Sequence, residues 1–314
     1  MNTESTIFLK DTDINIEDIN LVQLEEKERE YLNSYVEIAR HVQEINQLFH
    51  IYKCNLDNLL FFYKLNNDDI LQRNKYIKIA ESDSMMINTL VINLISAGKT
   101  FVDSIDTFLK SYTNQYALLK KDIISNVYDS CFYYRFLYHM RNFSQHGHLP
   151  VQVDVNMCCC FDLEQVLTIP NFKINSKIEK EINKLKKEIY EKFGEHPRIV
   201  FSLSIAEYNF CIIRIYMKFL EDIEEIILNY NNKIKYIIQK YPEIIHKGKD
   251  VLNGFVLYDI KDSSIHCFDS REKFIDLFWN IKKDISETFV KEKEELESFR
   301  KSFRKSFRGL KNEK

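Results

Sequence analysis

Residues Ser84–Lys110 read SMMINTLVINLISAGKTFVDSIDTFLK. Ile87, Leu90, Val91, Leu94, Phe101, Val102, Ile105, Phe108 and Leu109 recur at three- and four-residue steps and form one apolar stripe. That is the period of a helix burying one face; a strand would alternate at every second residue. Asp83 or Ser84 is suited to cap its start. Most of the chain reads the same way. Six glycines and four prolines serve 314 residues, far below the roughly 12% of an average protein. These residues punctuate turns, so their scarcity predicts few turns and long elements. Sandwiches, barrels and doubly wound sheets are thereby disfavoured, and an all-α fold is expected.

Working outward from Ser84, helices are predicted over Ile19–His50 and Leu56–Leu65 on one side. On the other side they are predicted from Asn114 to Gly147, over Ile174–Phe193, from Ser202 to about Tyr241, and from Ser270 toward Arg308. Gly147 followed by Pro150 is a helix-ending signature. Alternation through Val151, Val153 and Val155, continuing over Cys158–Phe161, predicts a short strand or hairpin. A second hairpin is predicted from Phe255–Tyr258 and Ile265–Phe268. The expected organisation is a loose tail at 1–17, a helical core at 18–150, a β-like insertion with long helices at 151–250, and a hairpin with a basic helix at 251–314.

A net charge of −3, with 45% hydrophobic and 29% charged residues, fits a chain with a real core and argues against coating nucleic acid with its whole surface. The N-terminus lacks the basic-then-apolar pattern of a secretory leader, and no window is expected to cross a membrane. A cytoplasmic location is expected. In that setting the seven cysteines, which include no Cys-x-x-Cys, should be free thiols.

Chemistry gathers in Tyr133–Pro150. On one continuous helix the face of Ile124, Val127 and Cys131 would run on through Tyr134, Arg135, Tyr138, His139, Asn142, Gln145 and His146. Burying that polar set costs a few kcal/mol per group unless each is partnered. A break in patterning of this kind is where a functional site is expected. Three of the eight histidines, His139, His146 and His148, fall here.

Arg141–Asn142–Phe143–Ser144–Gln145–His146 resembles the R-N-x-x-x-H form of the motif of HEPN domains, and Gly147–His148–Leu149–Pro150 is similar to the Gly/Pro ending of bacterial members. The resemblance covers about residues 20–150. It implies an α-helical bundle and a metal-independent endoribonuclease needing no cofactor, of the toxin–antitoxin or phage-defence kind, with two protomers of a homodimer sharing a composite site. The substrate's own 2′-OH would attack, leaving a 2′,3′-cyclic phosphate and a 5′-OH. His146 would exchange protons, as imidazoles do near neutral pH. Arg141 would grip the scissile phosphate, and Asn142 would orient the phosphate or the imidazole. Tyr134, Arg135, Tyr138, His139, Gln145 and His148 are the candidate substrate-binding residues, the tyrosines either stacking on bases or packing with their hydroxyls bonded. An antitoxin or other regulatory partner is implied as well. The alternative is a non-catalytic helical module binding a nucleotide, RNA or a partner protein.

Other motifs weigh less. Gly98–Lys99–Thr100 is similar to the end of a P-loop, but the earlier glycine is Asn93 and no strand precedes it. Asp103 and Asp106 either face the Arg141 site or carry solvated charge. His146 and His148 with Cys158–Cys160 would make a poor zinc site, because adjacent residues of a strand point to opposite faces. The repeat Ser298–Phe299–Arg300–Lys301, Ser302–Phe303–Arg304–Lys305, Ser306–Phe307–Arg308 places its phenylalanines on one helical face. It either docks on RNA, an acidic partner or anionic lipid, or packs as a terminal helix.

Overall fold

The stripe of Ser84–Lys110 lies within α2 (Ile79–Tyr112) of the computed structural model. Ile87, Val91, Leu94, Phe101, Val102, Ile105, Phe108 and Leu109 are all buried, as their spacing predicts. Because α2 begins at Ile79, Asp83 and Ser84 sit inside it and neither is the cap. The structure describes residues 5–8, 24–68, 79–153, 159–168, 176–193, 197–241, 255–259, 264–268 and 271–312. Among the described residues, Ser84–Tyr112 is long and apolar enough to cross a membrane by length and composition alone, as a buried core helix also can be.

The helices are long, as the shortage of Gly and Pro predicts. α1 (Glu26–Asp68) is one helix where two were expected. α2 leads to a short α3 (Tyr116–Lys120), one wide turn at Lys121–Ser125, α4 (Asn126–Ser130) and α5 (Phe132–Gln145). Strands β2 (Gln152–Val153) and β3 (Cys159–Asp162) pair antiparallel, followed by α6 (Leu163–Thr168) and α7 (Ser176–Phe193). β4 (Arg198–Val200) adds to β3 and runs into α8 (Phe201–Lys240). β5 (Phe255–Asp259) and β6 (Ser264–Phe268) form the expected hairpin, and α9 (Arg271–Asn312) is the last of the described elements. Ser5–Phe8, expected in a loose tail, is strand β1 and pairs antiparallel with β5. Among the described residues the chain is thus mostly helical, with two small three-stranded sheets.

It packs as two units, Met1–Glu44 with Phe219–Ile285, and Ile45–Lys218 with Ser286–Lys314. The first encloses Leu32, Ile38, Val42, Ile223, Ile227 and Phe278, with Phe274 edge-on to Tyr35 at 5.5 Å. Lys240 joins Glu25 at 2.6 Å and the buried Glu28 at 2.7 Å, and Tyr241 donates to Glu28 at 2.9 Å. Burial pushes the Glu28 carboxyl up, but these donors outweigh it and hold it below its ordinary range.

The second unit has an aromatic core. Phe49 lies 4.8 Å from Tyr216 and 5.5 Å from Phe101 by ring centres, and Phe136 meets Phe161 edge-on at 5.3 Å. The hydroxyls of Tyr216 and Tyr52 donate to Asn46 at 3.0 Å and Asn209 at 3.3 Å, so neither is buried unsatisfied. Gly98, part of the P-loop-like string in the sequence, is a buried contact point in the fold. A Cβ there would stand 2.4 Å from the Tyr208 hydroxyl. Tyr208 cannot easily retreat, because it is buried and stacked on Tyr134 at 5.6 Å. Gly98→Ala should therefore cost about 1–3 kcal/mol from overpacking, despite alanine's better helix propensity. Urea unfolding read by circular dichroism checks this, and an unchanged or raised midpoint would refute it.

Candidate functional site at the end of α5

The expected single helix from Asn114 to Gly147 is interrupted. Cys131 is extended (φ −115°, ψ 112°) and separates α4 from α5. The cause lies downstream, in Arg135. Its Nη1 donates to the last-turn carbonyls of α4, Tyr128 at 2.5 Å and Asp129 at 2.6 Å. Its Nε and Nη2 take both carboxylate oxygens of Glu181 on α7, at 3.2 and 2.6 Å. A helix end leaves such carbonyls without intrahelical partners, and here a guanidinium supplies them.

The break resets the helical phase. α5 buries Phe136, Leu137, Met140 and Phe143, so its apolar face is not the continuation of Ile124 and Val127. Asn142 is then half-buried, and Gln145 and His146 are exposed. Two sequence-based assignments are corrected by this geometry. Tyr134 is 3% exposed and stacked on Tyr208, and Arg135 is 3% exposed with its donors committed. Neither presents a surface to a substrate.

His139 is also drawn inward. Its Nε2 lies 3.0 Å from the Tyr128 hydroxyl, and burial pushes its pKa down, favouring the neutral ring. Tyr138 is half-buried, edge-on to Tyr128 at 5.7 Å, with the Lys99 ammonium 5.3 Å from its ring centre. Lys99 also pairs with Asp103. Asp106 binds Lys110 at 2.8 Å, Lys120 at 3.0 Å and the Tyr116 hydroxyl at 2.9 Å. Burial raises its pKa, but these three donors outweigh that and hold the carboxyl below its ordinary range. Both aspartates thus serve networks of α2 and α3.

The last turn of α5 is different. Arg141 donates from Nη1 to Gln145 at 3.2 Å, and its buried Nε has no partner. Among the described residues, the side chains of Asn142 and His146 make no hydrogen bond. Asn142 and His146 are four apart and share one face of the turn, as do Arg141 and Gln145. The His146 amide closes the helix on the Asn142 and Phe143 carbonyls, both at 3.2 Å. Gly147 then takes φ +85°, a left-handed conformation in which a Cβ is strained, and its amide bonds the Ser144 carbonyl at 3.0 Å. His148 lies 5.1 Å from the buried Phe143 ring.

Sequence reasoning missed what holds this end in place. Asn88 of α2, 1% exposed, donates to the Val151 carbonyl at 2.8 Å and accepts the Val151 amide at 2.9 Å. That reciprocal pair ties the segment after His148 to α2. The signal was present: Asn88 stands three residues before the buried stripe position Val91 and is polar.

The arrangement offers a guanidinium with most donors unspent, a carboxamide and an imidazole, all at a helix C-terminus, where the dipole favours cations. Such a set can hold an anion and move a proton. No group of three metal-ligating side chains occurs among the described residues, and Cys158 lies outside them. Compared with known proteins, the chain matches no family model, and no curated protein and no solved structure is similar to it.

Proposed function

We propose that the chain is a metal-independent endoribonuclease of the HEPN type, acting in the cytoplasm as a toxin or phage-defence effector. The observation that carries this reading is the contrast between two arginines six residues apart on one helix. Arg135 spends its donors on the fold, whereas Arg141, with Asn142 and His146, keeps polar groups unspent at the accessible end of α5. Polar groups a fold does not use are where function concentrates.

In the reaction, Arg141 binds the non-bridging oxygens of the scissile phosphate and stabilises the charge that grows on them. His146 accepts the 2′-OH proton or returns one to the departing 5′ oxygen. Asn142 orients the phosphate or the imidazole beside it. Gln145 and His148, and Tyr138 at its half-buried edge, remain as substrate contacts. One protomer supplies one imidazole, so a homodimer bringing two motifs together would provide both base and acid. An antitoxin or similar partner would restrain the activity.

The test is cleavage of structured and unstructured RNA in EDTA by the wild-type chain and by His146→Ala. Expected is cleavage leaving a 2′,3′-cyclic phosphate, lost at least 100-fold in the variant. Equal cleavage by both proteins, or none by either, refutes the proposal.

A further inference from the structure

We propose that Lys99 of α2 is a phosphate-binding subsite beside the last turn of α5, where its ammonium, held by the Tyr138 ring, takes the RNA phosphate next to the scissile one. The subsite rests on the ribonuclease reading of Arg141 and His146, which makes single-stranded RNA the ligand.

Two contacts fix its place. Asn88 of α2 is bonded to Val151, just beyond α5. About three turns further along α2, the Lys99 ammonium stands 5.3 Å from the centre of the Tyr138 ring. α2 therefore runs antiparallel to α5 and brings Lys99 to α5 at Tyr138. Arg141 and Asn142 follow Tyr138 by three and four residues, so they share its side of the helix one turn, about 5.4 Å, further on. That rise is comparable with the step between successive phosphates of a single strand. A strand with its scissile phosphate at Arg141 brings the neighbouring phosphate to Lys99.

The ammonium is preorganised for an anion. A surface lysine gives up side-chain freedom when it binds. Lys99 has already given up much of it: its side chain is 20% exposed, lies over the half-buried Tyr138 and is paired with Asp103. Tyr138 is held in turn, edge-on to Tyr128 at 5.7 Å. An ammonium has three donors, and among the described residues Lys99 spends one, on Asp103. Asp103 is 57% exposed, so solvent screens the pair and the carboxylate can give way to a phosphate. The neighbouring hydroxyls of α2 are committed to their own helix, Thr100 to the Ser96 carbonyl at 3.0 Å and Thr107 to the Asp103 carbonyl at 2.9 Å.

The test measures binding apart from cleavage. A fluorescent single-stranded oligoribonucleotide of mixed sequence, 2′-O-methylated so that no 2′-OH can attack, is titrated against the full chain by anisotropy over a range of salt. For Lys99→Ala, binding at low salt should weaken about tenfold, as for loss of a hydrogen bond to a charged group. The slope of log K against log salt should become shallower by about 0.7, the value for one phosphate on a single strand. Lys99→Arg should restore both, and Asp103→Asn, which removes the competing carboxylate, should tighten binding. Tyr138→Leu should weaken binding, whereas Tyr138→Phe, which keeps the ring, should not. A lysine that served only the fold would leave the salt slope unchanged. Wild-type affinity and slope in Lys99→Ala, or no binding by the wild-type chain, overturns the subsite. If alanine prevents folding, Lys99→Gln, which keeps the stem over Tyr138, is read in its place. Cleavage of unmodified RNA is scored separately, so Lys99-dependent binding without cleavage supports the subsite and refutes the nuclease.

Discussion

Arg135→Ala should lower the unfolding free energy by about 3–5 kcal/mol, the largest stability loss expected for a polar residue in this chain. The guanidinium is buried and joins three elements: the α4 carbonyls of Tyr128 and Asp129, its own helix α5, and Glu181 of α7. Its removal leaves two part-buried carbonyls without a donor, each costing about 1–3 kcal/mol. Glu181→Ala should cost less. The guanidinium then keeps its carbonyl partners, and the Glu181 side chain is itself 33% exposed, so part of the pair's attraction is already screened. Since both substitutions break one network, the double variant should fall short of the sum of the singles. Urea and thermal unfolding of the four proteins measure this cycle. A loss under about 1 kcal/mol for Arg135→Ala would show that water replaces the guanidinium at the end of α4.

This arginine also marks where the sequence stops being readable. The stripes of α2, α7 and α8 were legible because burial on one face writes a 3.6-residue period into adjacent positions. The end of α5 was legible for a local reason as well, since Gly147 is needed at φ +85°. The break at Cys131 leaves no such mark, because the residue is an ordinary cysteine and the break is satisfied by a side chain four positions on and a carboxylate on α7. Strand β1 was missed for the same reason, its partner β5 lying at the far end of the chain. Once Cys131 interrupts the helix, the supposed polar continuation of a core face disappears. Tyr134 and Arg135 turn inward, and the candidate site shrinks to the last turn of α5 and the residues just after it. The repeat near the C-terminus divides in a similar way. Arg300 packs on the buried Glu207, while the side chains from Phe303 onward lie outside the described residues.

The second large effect falls on Arg141. For the proposed nuclease, Arg141→Ala should reduce single-turnover RNA cleavage by 10²- to 10³-fold, about 3–4 kcal/mol of transition-state stabilisation, as for other preorganised donors to a developing oxyanion. Its unfolding midpoint should scarcely move, because the side chain makes one hydrogen bond, to the exposed Gln145, and surface changes of that kind stay within about 0.5 kcal/mol. Arg141→Lys separates charge from geometry. An ammonium keeps the positive charge but not the planar fork, so about tenfold or more of the loss should persist. Gln145→Ala frees the Nη1 donor but removes a substrate contact, so it should lower cleavage by less than Arg141→Ala does. The pair Arg135→Ala and Arg141→Ala thus predicts opposite outcomes on one helix: lost stability at the first, lost chemistry at the second. If Arg141→Ala instead unfolds the chain as Arg135→Ala does, its donors belong to the fold, and the catalytic role fails with them.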